Sequence, residues 1–90
     1  MNDVRRKSLA DVISAIESIL GDIESTKDDL ESIKDEEEEC RDNIPESFQN
    51  SERYEKADAA VSNLEEALSS LEDAADTLQA AIDSIEEASE

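Results

Sequence analysis

Histidine and tryptophan are absent from this 90-residue chain, and glycine, proline, cysteine, methionine, tyrosine and phenylalanine occur once each. Each scarcity closes a class of answer. Without histidine the thiol of Cys40 has no imidazole to activate it, and most serines fall on outward helical positions with no base in reach. One glycine and one proline leave too little turn chemistry for a sheet or a barrel. A lone cysteine forbids an internal disulfide, which fits a reducing compartment. No apolar run is long enough to span a bilayer, and the stretch after Arg5, Arg6 and Lys7 meets Asp11 and Glu17 before a secretory signal could form. The expectation is a cytoplasmic, non-enzymatic protein with no cofactor and no metal.

Bases are also scarce. Eight Lys and Arg stand against 27 Asp and Glu, giving a net charge of −19, so phosphate backbones and anionic membranes should repel the chain. An electrostatic partner would have to be basic. Such acidity is also compatible with disorder, and the deciding question is whether apolar residues recur at a structural period.

They do. Leu9, Val12, Ile16, Ile19, Ile23, Thr26, Leu30, Ile33, Glu37 and Cys40 alternate by three and four, the a/d pattern of a heptad repeat. Tyr54, Ala57, Val61, Leu64, Leu68, Leu71, Ala75, Leu78, Ile82 and Ile85 continue it in the second half. The spacing predicts one domain over 1–90: a helix over about 3–42, a corner over 43–50, and a second helix over about 51–89. At the corner Pro45 forces Ile44 out of helical conformation, Asn43 ends the first helix, and Ser51 or Asn50 caps the second. Ile44 and Phe48 are expected to cover the open end of the seam.

The fold class read from this is all-α: an antiparallel two-helix coiled-coil hairpin, dimerising into a four-helix bundle because one narrow seam buries too little for a chain of this size. Pairing residues whose numbers add to 94 sets Leu9 against Ile85, Ile23 against Leu71 and Cys40 against Tyr54, and places Glu37 across the small Ala57. The same register expects ion pairs between Arg6 and Glu86, Lys27 and Glu65, and Lys34 and Asp58. Arg53 and Lys56 should ease repulsion in the run Asp35 to Glu39, which lacks the glycine turn of a calcium loop and reads as a solvated helix segment. Cys40 reads as a small core residue.

Two surface features remain. Alanine recurs at heptad spacing in Ala60, Ala67, Ala74, Ala81 and Ala88, and Ile13 and Leu20 widen the stripe of the first helix. With Ala60, Ala67, Ala74 and Ala81, those two residues form the expected oligomer edge, although alanine is also simply the best helix former. The other feature is the acids: Glu17, Glu24 and Glu31 form a column, and the segment after Lys56 holds ten acids and no base. Glu65, Glu72, Asp73, Asp76 and Asp83 are, with that column, the expected partner-binding residues. A solvated face and a surface imitating nucleic-acid phosphates both account for them.

The corner Asn43-Ile-Pro-Glu-Ser-Phe-Gln, then Ser51-Glu-Arg-Tyr-Glu-Lys and the Leu-Glu-Glu-Ala heptads, resembles uncharacterised small acidic helical proteins of phages, prophages and mobile elements of Gram-positive bacteria. The likeness covers most of the chain, with Phe48 standing where that group typically has leucine. It implies a mobile-element origin in a bacterial host rather than a mechanism. By analogy with phage accessory proteins of this size and charge, the expected function is an acidic protein-binding module, an inhibitor or nucleic-acid mimic acting on a basic nucleic-acid-binding or defence protein. The alternative is a structural, oligomerising scaffold.

Overall fold

The structure, a computed structural model, describes residues 1–48 and 51–90. Two long helices account for most of it, α1 over Asp3–Asp42 and α2 over Glu52–Ala88, joined through one 3₁₀ turn over Glu46–Phe48. No strand occurs among the described residues. The shape is elongated, 69 × 16 × 13 Å between Cα extremes. Among the described residues no helix is long and apolar enough to cross a membrane.

Both helices begin on a side-chain cap. Asn2 Oδ1 accepts from the backbone N–H of Arg5 at 2.8 Å, and Ser51 Oγ accepts from that of Tyr54 at 3.3 Å, each satisfying a donor that the first turn leaves open. Asn50, the other expected cap, lies outside the described residues. α1 stops at Asn43, whose N–H still reaches Glu39 O at 3.0 Å before Pro45 removes the next donor. The chain then turns through Ile44, which donates to Arg41 O at 3.1 Å and is 6% exposed.

The helices touch along their length and at both ends. Arg6 Nε donates to Ser89 O at 2.9 Å, and Arg41 Nη1 donates to Asp58 Oδ1 at 2.9 Å. The core is thin. Only Ile44, Ala57, Val61 and Ile82 are buried among the described residues, and none is completely enclosed.

α2 turns inward the row the heptads predict, but α1 does not. Its covered residues are Leu9, Ile13, Ile16, Leu20, Ile23, Lys27, Leu30, Lys34, Glu37 and Arg41, whereas Val12, Ile19, Thr26, Ile33 and Cys40 are exposed. α1 is thus rotated by about one heptad row, on the order of 50°. The lower half explains the choice. Lys27, Lys34 and Arg41 lay their aliphatic stems across the seam with side chains only 22%, 17% and 19% exposed, their charged ends meeting carboxylates at the rim. Thr26 and Cys40 offer less surface to bury than those stems.

Several expectations are corrected by this rotation. Cys40 is exposed rather than a core residue. The three expected ion pairs between helices are not made: Arg6 pairs with Asp3, Lys27 with Glu24, and Lys34 with Asp35 and Glu38, while Asp58 is taken by Arg41. Repulsion in the acidic run is eased on α1 itself, where Lys34 and Arg41 both reach Glu38, and Lys56 pairs with Glu52 instead. Phe48 does not cover the seam. It is 60% exposed, whereas Ile44 is 6% exposed.

Gly21 lies mid-helix on the outward face, and a Cβ there would meet nothing within 4 Å. Gly21→Ala is therefore expected to stabilise the chain by about 0.8 to 1 kcal/mol through backbone entropy alone. Thermal denaturation followed by circular dichroism would read this as a rise of about 4 to 8 °C; an unchanged or lower midpoint would mean that the site is not open.

Candidate functional site

The eight acids singled out from the sequence, Glu17, Glu24, Glu31, Glu65, Glu72, Asp73, Asp76 and Asp83, are all exposed. They follow from heptad position. Glu17, Glu24 and Glu31 repeat every seven residues just outside the covered row of Ile13, Leu20 and Lys27. On α2 the five acids occupy three adjoining rows on the side away from the alanines. Among the described residues only Glu24 of the eight has a cation within 4.0 Å, Lys27. Asp83 accepts from Gln79 Nε2 at 3.1 Å. No three His, Cys, Asp or Glu side chains among the described residues come together to hold a metal ion.

The expected oligomer edge divides. Ile13 and Leu20 are half-buried in the covered row of α1 rather than standing on an outer edge, and Ala60, Ala67 and Ala81 are half-buried beside the seam while Ala74 is exposed. The uncovered aliphatic surface lies elsewhere, at Val12 (45% exposed), Ile19 (48%) and Ile33 (54%). Sequence reading missed these because they stand at ideal a/d positions.

The corner holds a second feature. Glu37, Cys40, Ile44, Arg53, Lys56 and Ala57 line an open depression of about 290 Å³, and Ile44, Pro45, Phe48, Ser51 and Arg53 line its neighbour of the same volume. Arg53 borders both. Arg41, on the other side, is held above its ordinary pKa, first by its hydrogen bond to Asp42 and then by Asp58. The bases that border this end face a surface that is otherwise acidic.

No protein-family model, curated protein or solved structure matches the chain.

Proposed function

We propose that this chain is a non-enzymatic protein-binding module, an antiparallel coiled-coil hairpin whose acidic surface engages a basic partner as a nucleic-acid mimic does. The observation that carries the reading is linear charge density. A net charge of −19 spread over 69 Å is one charge per about 3.6 Å, against one per about 3.4 Å along a single DNA strand. The acids that supply it on α2 are exposed and have no base on their own helix beyond Lys56. A basic groove built to follow phosphates would meet carboxylates at similar spacing, and its attraction would be long-ranged and screened by salt.

The antiparallel hairpin is supported by Arg6 meeting Ser89 at one end and Arg41 meeting Asp58 at the other. Spin labels at Arg6→Cys and Ser89→Cys, in a Cys40→Ser chain diluted with unlabelled protein, should give a dipolar distance under about 20 Å; helices pointing away from each other would put the labels more than about 60 Å apart. The mobile-element resemblance points to a nucleic-acid-binding or defence protein of a Gram-positive host as the partner. A pull-down from such a lysate should retain a basic protein at low salt and release it at high salt. Retention that does not respond to salt, or that favours acidic proteins, would overturn the reading.

A structural role is favoured by a separate observation, the exposed row of Val12, Ile19 and Ile33. A rod that leaves such a row uncovered has reason to self-associate, and the four-helix bundle belongs to this reading.

A further inference from the structure

The uncovered row of α1 and the alanine row of α2 lie on the same side of the rod. Antiparallel helices bring like flanking positions together, so one side is marked by Arg41 against Asp58. The other is marked by Cys40 and Arg53, which border the same depressions. Val12, Ile19, Thr26 and Ile33 share the row of Cys40, and Ala60, Ala67, Ala74 and Ala81 share that of Arg53. The levels agree as well: Ile19 stands level with Ala74, and Ile33 with Ala60.

This side is also where α2 carries no acid. The helix holds eleven acidic residues, none of them in the row from Arg53 to Ala88 or in the adjoining row of Lys56, Asn63, Ser70, Thr77 and Ser84. On α1 the matching outer row does carry acids, at Asp22, Asp29 and Glu36. One face therefore bears a row of large aliphatics beside a row of alanines, and a row of carboxylates beyond the first against a row of hydrogen-bond donors beyond the second.

We infer that this face docks a second copy of the chain, with the two corners at the same end. The inference rests on the antiparallel hairpin. A two-fold axis along the rod sets α1 of one copy over α2 of the other without changing level, so Ile19 packs on Ala74 of the other copy and Ile33 on its Ala60. The same operation sets Asp22 opposite Ser70, Asp29 opposite Asn63 and Glu36 opposite Lys56, each carboxylate against a donor. Opposed corners would instead stack aliphatic row on aliphatic row and acid row on acid row. The extents of the rod, 69 by 16 Å, bound this face at about 1,100 Å² per copy, room for the about 800 Å² per partner that stable interfaces bury. Nearly all the acids of α2 stay in water when it is covered.

The test is a charge swap read by sedimentation equilibrium and circular dichroism. The unmodified chain is expected at twice its monomer mass at tens of micromolar. Asn63→Glu with Ser70→Glu alters two residues that are exposed in the hairpin, so helicity is expected to hold, while dimer affinity falls about a hundredfold as these acids meet Asp29 and Asp22 of the other copy. Adding Asp22→Lys and Asp29→Lys to that chain should restore the dimer. Ser62→Glu with Ser69→Glu, the same charge change on an outer row, should leave it intact. A monomeric unmodified chain, equal loss in the Asn63/Ser70 and Ser62/Ser69 variants, or no rescue would overturn the docking. Spin labels on Cys40 in each copy, at the corner end of the uncovered row of α1, separate the two arrangements: about 15 to 25 Å for corners together, on the order of 50 Å for corners opposed. The longer distance would overturn the proposal even for a dimer. Because the Arg6 and Ser89 labels report folding back within one chain, a failed hairpin is distinguished from a failed interface.

Discussion

Ile82→Asp should remove a large part of the thermal stability of the chain. Ile82 is 3% exposed, as enclosed as any of the described residues. In the proposed antiparallel hairpin the stretch of α1 level with it is Asp11, Val12 and Ile13, with no base, so a new carboxylate there has no cation to pair with and sits among existing acids. Burying an unpaired charge and losing the isoleucine packing cost about 3 to 5 kcal/mol together, against a total stability of about 5 to 15 kcal/mol for a typical domain. The helical signal should melt at least about 15 °C lower. Val12→Asp, almost level with it but 45% exposed, should lower the midpoint of a dilute sample by only a few degrees. Equal losses at the two positions would mean that α1 packs by its ideal heptad row after all.

That comparison turns on the feature the sequence disguised. Two long helices and the break between them were legible, because the three-and-four spacing runs through both halves and stops at Asn43-Ile-Pro. The inward row of α1 was not. Val12 and Ile13, and Ile19 and Leu20, are adjacent apolar pairs, so the upper half of the helix is compatible with either row. The decision falls to Lys27, Lys34 and Arg41, which a hydrophobic pattern counts as polar although their stems cover the seam. Their charges end near carboxylates, Arg41 on Asp58 of α2 at 2.9 Å and Lys27 and Lys34 on acids of α1 itself. The expected ion pairs are replaced by others: Asp58 is taken by Arg41, one heptad beyond Lys34 in the same row, and Lys34 pairs with Asp35 and Glu38. Of the candidate surfaces, the acids were legible because carboxylates on outward rows stay outward under a small rotation. The apolar face was half legible, since five alanines announced one of its rows while the other passed for core.

Reversing Glu65, Glu72, Asp73, Asp76 and Asp83 to lysine changes the net charge by ten, from −19 to −9, and should lower affinity for the basic protein retained at low salt by at least about a thousandfold, since several phosphate-like contacts turn repulsive together. The fold should survive. All five are exposed, and the one side-chain bond lost among them is that from Gln79 to Asp83. Self-association should survive too, because none of the five lies in the two acid-free rows of α2. Salt then separates the functions within one sample: rising ionic strength weakens binding to a basic partner and strengthens pairing of two chains of charge −19. The two are connected through charge spacing. Two copies docked corner to corner carry one charge per about 1.8 Å of rod, close to the about 1.7 Å of duplex DNA, so pairing turns a surface with the charge density of one strand into one with that of a duplex. A partner that binds the dimer and the docking-deficient Asn63→Glu, Ser70→Glu chain equally well would break that connection, and one indifferent to the five reversals would remove the acidic surface from the function altogether.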